Sequence, residues 1–260
     1  MPLSLFPIPK IPLIRPGDDL ATILLEALEN THLSLEDGDI LVLAQKIVSK
    51  AEGRQVNLAE INPSEAAIEL ATRSAKDPRL CELILRESNE ILRVRPGTVI
   101  VEHRLGFVCA SAGIDHSNVN APEAQAAGTR PEDWVLLLPE DPDRSALEIR
   151  RRLKLLTGHC LGVMIIDSHG RAWRNGIVGT CIGLSGLPAV VDARGKPDLF
   201  GYRLRITFIA VADELAAAAS LVMGEAAEGT PAVLVRGFPY PLREGSLKEL
   251  LRPKEQDMFR

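Results

Sequence analysis

Aromatic side chains are scarce in this 260-residue chain, at 4%. Stacking platforms for single-stranded nucleic acid need several aromatic rings, so that mode of binding is excluded. A basic surplus is missing too. Thirty Lys and Arg stand against 35 Asp and Glu, for a net charge of -5, the reverse of a general nucleic-acid binder. A few local cations would still suffice for a phosphorylated small molecule. No uncharged apolar run approaches the ~18 residues of a membrane span. The opening MPLSLFPIPKIPLIRPGDDL is interrupted by prolines, Lys10 and Arg15, so it is not read as a signal peptide. Cysteine is limited to Cys81, Cys109, Cys160 and Cys181, with no CxxC pair. That spacing argues against zinc and for buried free thiols. Together these features point to the cytoplasm. Three motifs are absent as well: GxxxxGK[ST], a helix-opening GxGxxG, and the GxSxG elbow of serine hydrolases.

What is present is a chain 46% apolar and 25% charged, long enough for one large domain or two small ones. Asp18-Asp19 precede LATILLEALEN, which has helical spacing. EDGD (36–39) predicts a turn, and ILVLAQKIV a buried strand. Segment 64–89 predicts helix, with a break at Asp77-Pro78. EILRVRPGTVIVEHRLGFVCASAG predicts three strands in an antiparallel meander rather than a Rossmann βαβ unit. Residues 117–133 read as a polar surface loop, a candidate to face ligand. WVLLLP predicts a strand, DPDRSALEIRRRLKLLTG a capped amphipathic helix, and LGVMIID an apolar strand ending in DSHGRAWRNG. IVGTCIGLSGLPAVVD is glycine-punctuated β structure. ITFIAVADELAAAASLVMGEAAEG predicts a strand entering a buried alanine-rich helix, PAVLVRG a short strand, and the tail from Leu242 a terminal helix.

Candidate chemistry follows from residue type and position. Asp115, Asp167 and Glu225 lie at the ends of predicted elements, and Ser168 adds a hydroxyl. Hard oxygen ligands of this kind suit Mg²⁺ or Mn²⁺. Taken one at a time, each carboxylate is equally explained as a turn or helix cap. In QKIVSK, Gln45, Lys46 and Lys50 surround a predicted strand end. Residues 46 and 50 would share a strand face and reach one polyphosphate. A solvated strand end is the alternative. Arg171 and Arg174, beside Asp167, are candidate forks for a phosphodiester or carboxylate, with a loop salt bridge as the competing explanation. His116 and His169 flank the two aspartates, and their spacing does not assign them a role.

Six strings in order carry more than any one of them: GDILVLAQKIVSKAEGR, FVCASAGIDHSNV, LLPEDPDRSALEIR, GVMIIDSHGRAWRNGIVGTCIG, ITFIAVADELAAAASLVMGEAAEG and AVLVRG. The chain thereby resembles the coenzyme F420-0:L-glutamate ligase (F420:γ-glutamyl ligase) family from about residue 11 to residue 237. The resemblance implies GTP contacts at Ile11, Pro12, Leu13, Ile14, Gln45, Lys46, Lys50 and Asn118. It implies further nucleotide contacts along Met223, Gly224, Glu225, Ala226, Ala227, Glu228, Gly229 and Thr230. Two divalent ions, Mg²⁺ or Mn²⁺, would be held by Asp115, Asp167, Ser168 and Glu225. Lys50, Asp115 and Asp167 would be the catalytic set, and K⁺ is a further implied ion.

The implied fold is α+β with mixed and antiparallel sheets, one unit of two interlocked subdomains in an intertwined homodimer. The implied partners are GTP, L-glutamate and F420-0, with no nucleic acid and no membrane. The implied reaction is attack of the lactyl carboxylate of F420-0 on the γ-phosphate, followed by displacement of phosphate by the glutamate amine. Further γ-linked glutamates are an extension of it. A paralogous amide ligase with another acceptor, or a silent nucleotide-binding subunit, are the alternatives. Two departures stand out. Family members often carry Thr-Phe where this chain has Ser168-His169, which keeps the hydroxyl. The 120–133 stretch is also longer than usual. Many relatives continue into a reductase-like domain, so 260 residues are expected to be the stand-alone form.

Overall fold

The computed structural model describes residues 2–119 and 130–258. Most of the polar 120–133 segment lies outside them. A five-stranded sheet forms the frame. Its strands are β1 (Ser4–Pro7), β2 (Ile40–Ala44), β8 (Gly162–Arg171), β9 (Arg174–Ser185) and β12 (Ala232–Arg236). They lie in the order β1-β12-β2-β8-β9. Only β2 and β8 run parallel; the other neighbours are antiparallel.

Helices cover both faces. One layer holds α1 (Leu20–Glu29), α2 (Gln45–Ala51) and α5 (Pro142–Thr157); the other holds α6 (Val211–Met223). Strand alternation sorts the core accordingly. Leu41, Leu43, Val163, Ile165 and Leu234 point into the first layer. Ile40, Val42, Met164, Ile166, Val233 and Val235 point toward α6. Covering a parallel pair on both faces is why these strands read as continuous apolar runs.

A second body stands beside this frame. There α3 (Glu65–Ser74) and α4 (Pro78–Arg86) pack on the meander of β4 (Ser88–Arg95), β5 (Thr98–His103) and β6 (Val108–Ala110). Asp77 caps α4, with Pro78 at its first turn, as the Asp-Pro pair predicts. A short pair, β3 (Gln55–Asn57) with β7 (Trp134–Leu136), bridges the two bodies. Another, β10 (Val191–Asp192) with β11 (Phe208–Ile209), leads into α6.

Five expectations change. QKIV is not strand: β2 ends at Ala44, and α2 begins at Gln45. DSHGRAWRNG is not a loop: β8 runs to Arg171 and returns as a hairpin. α6 buries one face only, with Leu221 87% exposed on the other. The tail forms two 3₁₀ turns, Leu247–Glu249 and Lys254–Gln256, and Pro253 between them breaks a longer helix. Cys81, Cys109 and Cys181 are buried free thiols, but Cys160 is exposed.

Candidate active site

The site gathers where the parallel pair ends. The β2–β8 pairing stops at Ala44 and Ile166; beyond it β8 keeps β9 on one side only, and ligand-facing groups collect at the opened edge. Ala44 closes β2 by donating its amide to the Pro231 carbonyl at 2.8 Å. That bond brings the 224–230 loop to the same edge as α2. Lys46 and Lys50 are four apart on α2, hence on one helical face. The shared face expected on a strand is therefore retained through a different period.

Contacts join four segments. Gln45 donates Nε2 to Asp115 Oδ2 at 2.8 Å. Lys46 Nζ lies 3.4 Å from the same oxygen, and also bonds the Ser117 hydroxyl at 2.9 Å and carbonyl at 3.2 Å. Lys50 donates to the Asn118 carbonyl at 2.6 Å. Asn118 in turn donates Nδ2 to the Ala226 carbonyl at 3.0 Å. The Ser168 hydroxyl reaches both oxygens of Glu225, at 3.0 and 2.9 Å. His169 Nε2 lies 2.9 Å from Asp167 Oδ2. Glu228 folds back to accept the Ala226 amide at 2.8 Å. Gly224, Ala227, Gly229 and Thr230 complete this loop, and Met223 is the buried last residue of α6 before it.

Electrostatics mark the same place. Burial pushes the Asp115 carboxyl up to about 6; Lys46 opposes the shift and the nearby Asp167 charge adds to it. Lys50 is lowered by burial and by Lys46. The Cys109 thiol is pushed up to about 12 by burial and then by Asp167. An acidic pair against two lysines is an arrangement for anions that arrive with cations. Asp115 and Asp167 form one electrostatically coupled pair. Ser168, on the opposite face of β8, joins Glu225 beside α6. The sequence reading pooled these four residues, and the alternation of β8 sorts them two and two.

Oxygen donors alone make up both pairs, which fits a hard divalent ion. Among the described residues no three His, Cys, Asp or Glu side chains converge closely enough to hold an ion by themselves. Mg²⁺ is commonly held by one or two carboxylates supplemented by water and substrate phosphate. Residues 11–14 make no hydrogen bond into this network among the described residues. Ile14 is buried and Leu13 exposed, with Ile11 packed against the core beside α2. Arg171 and Arg174 pair in register at the tip of the hairpin, about 13 Å along the strand from Asp167. His116 is exposed. Ser117 belongs to the network and was not singled out from sequence; Ala226 was named there, and its carbonyl is what Asn118 bonds. The neighbours of Ser117 in DHSN were the available signal.

The family profile described as F420-0:Gamma-glutamyl ligase matches residues 9–237. The chain belongs to this family. "Coenzyme F420:L-glutamate ligase" of Methanothermobacter thermautotrophicus is 49% identical over 262 residues, covering all of both chains. The protein of the same name from Methanopyrus kandleri is 48% identical, over 99% of this chain and 98% of its own. That of Archaeoglobus fulgidus is 44% identical over 100% and 97%. Residues 11–14 apart, the residues carried over by motif thus lie in four segments joined by side-chain contacts: Gln45 to Lys50, Asp115 to Asn118, Asp167 with Ser168, and 223–230.

Proposed function

We propose that this chain is a GTP-dependent ligase that joins L-glutamate to the lactyl carboxylate of coenzyme F420-0. The reading is supported by the convergence of two lysines, three carboxylates and a serine hydroxyl, in a chain whose relatives bear the name coenzyme F420:L-glutamate ligase. Both substrates are anionic, and the physical task is to bring a triphosphate and a carboxylate together.

Lys46 and Lys50 bind and orient phosphate oxygens, exchanging their present bonds to Ser117 and Asn118 for the incoming anion. Asn118 and the 224–230 loop line the nucleotide. A carboxylate oxygen of F420-0 attacks the γ-phosphorus, the bond to the β-phosphate oxygen breaks, and GDP leaves. The glutamate amine, having lost a proton, then attacks the acyl carbon and inorganic phosphate departs. Asp115 with Asp167, and Ser168 with Glu225, would hold two divalent ions. When bound, these neutralise phosphate charge and align the displacement. Addition of further γ-linked glutamates, and stimulation by K⁺, belong to the same proposal.

The two bodies of the fold support a reading as one ligase unit of two subdomains. A band of exposed apolar side chains, Leu199 at 98%, Phe200 at 95% and Ile206 at 87%, supports a homodimer. No helix among the described residues is long and apolar enough to cross a membrane.

The test is incubation of the purified protein with F420-0, L-glutamate, GTP and Mg²⁺ or Mn²⁺, with product read by mass. The expected result is F420-0 extended by one glutamyl residue, with GDP formed in equal amount. Bound GTP without any product would overturn the proposal. Turnover with another carboxylate but not with F420-0 would replace the acceptor.

A further inference from the structure

His169 belongs to the network, and the proposed chemistry leaves it without a task. It lies on β8 two positions beyond Asp167, so both side chains project from one face of the strand. Nε2 of the ring is 2.9 Å from Asp167 Oδ2, and the two side chains are only 11% and 12% exposed. The ring is fixed from behind. Phe107 packs against it with centroids 5.2 Å apart and planes tilted 42°. Phe107 itself stacks on His103 at 5.2 Å and 6°. His103 is fully buried, and its Nδ1 accepts the Leu105 amide at 3.0 Å. A column of three rings therefore ends on one carboxylate. That carboxylate takes no other hydrogen bond among the described residues. The Thr180 hydroxyl bonds the main-chain oxygen of Asp167, not its side chain.

We propose that His169 is a positioning residue for Asp167: its Nε2–H holds Oδ2 and fixes the carboxylate, leaving Oδ1 for a divalent cation. The neutral imidazole suffices, in the tautomer that carries its hydrogen on Nε2. A carboxylate free to rotate must be ordered when an ion binds, and that ordering weakens binding. One held in advance does not carry the cost, and partners of this kind set metal affinity by about 10–100-fold. The proposal rests on the reading of Asp167 as a cation ligand, and the experiment separates the two.

Mn²⁺ is titrated into the protein without nucleotide or acceptor, and free Mn²⁺ is followed by electron paramagnetic resonance. Thermal melts check that each variant is folded. His169→Phe keeps a ring against Phe107 and removes the donor; its Mn²⁺ affinity is expected to fall about 10-fold. His169→Gln returns an N–H near the Nε2 position and is expected to recover most of the loss. Nitrogen NMR of the metal-free protein, practical with five histidines, is expected to place the neutral-form hydrogen of His169 on Nε2. If Asp167→Asn loses Mn²⁺ while His169→Phe binds as wild type does, the role of His169 is overturned and the cation site stands. Nitrogen coupling from His169 to bound Mn²⁺ would also overturn it, by making the ring a ligand. If wild type takes up no Mn²⁺, or Asp167→Asn takes it up equally well, the cation reading of Asp167 fails and the role of His169 fails with it.

Discussion

The carboxyl of Asp115 is pushed from its ordinary 3.8 to about 6, first by burial, with the neighbouring Asp167 charge adding to the rise. Between those values the folded protein keeps a proton that the unfolded chain releases. Stability of the metal-free protein therefore falls as pH rises from about 4 to about 6. Asp115→Asn removes the ionisation and keeps an oxygen for Gln45. In chelator-treated protein at pH 8 it is expected to be more stable than wild type by of order 2 kcal/mol. The gain should vanish near pH 4. Urea unfolding at the two pH values checks this, and a variant less stable at pH 8 would contradict it. The same variant is expected to lose ligation by two orders of magnitude or more. Residue types were legible at this scale: oxygen donors and lysines in a fixed order named candidates that the fold brings together. What sequence did not carry was environment. The side-chain partners of Asp115, Lys46 and Gln45, are 69 and 70 positions away, and the contact of His169 with Asp167 depends on β8 continuing past the aspartate.

ILVLAQKIV reads as one apolar run, and short apolar runs do not distinguish strand from buried helix. The change at Gln45 is set by tertiary contact. Ala44 is the last residue with a strand neighbour, and beyond it the chain can satisfy its amides only by coiling on itself. The amphipathic and capped elements α1, α4 and α5 were legible because local chemistry decides them. Asp19 accepts the Ala21 and Thr22 amides, and Asp141 accepts the Arg144 amide. Layer packing was not legible. Gly183 on β9 lies under Pro142, so close that an added Cβ would overlap the Pro142 backbone. Gly183→Ala must push the start of α5 off the sheet. The expected cost is about 2–3 kcal/mol or failure to fold. Gly195→Ala, at a turn with open space around it, should cost less despite its positive φ. Melting temperatures of the two variants make the comparison.

At the scale of the molecule, the exposed apolar residues of 199–208 and Trp173 at the hairpin tip cover no core of their own chain. Leu199, Phe200, Tyr202, Ile206 and Phe208 fall within ten residues, and all are more than half exposed. Clusters of exposed apolar side chains are the usual mark of contact surfaces. Leu199→Glu with Phe200→Glu is expected to convert a dimeric wild type to monomer in sedimentation velocity without lowering the helix signal in circular dichroism. A wild type already monomeric would remove the case for the homodimer. The α+β class was legible from the meander and the alternating elements. The strand order was not, because β12 inserts between β1 and β2 from the far end of the chain.

That insertion has a consequence in time. Ser4 is paired with Arg236 and Leu5 with Val235, while β12 also supplies the neighbour of β2. During synthesis at about 5–20 residues per second, β1 and β2 wait roughly 10–50 s for the strand that joins them. Both are apolar and carry bare edges through that interval, a state prone to association with other chains. Pairings so distant in sequence also make the frame slow to close. The 224–230 loop reaches the site only as β12 docks. A nascent chain therefore acquires this loop last, and ligand is expected to capture the finished sheet rather than to nucleate it.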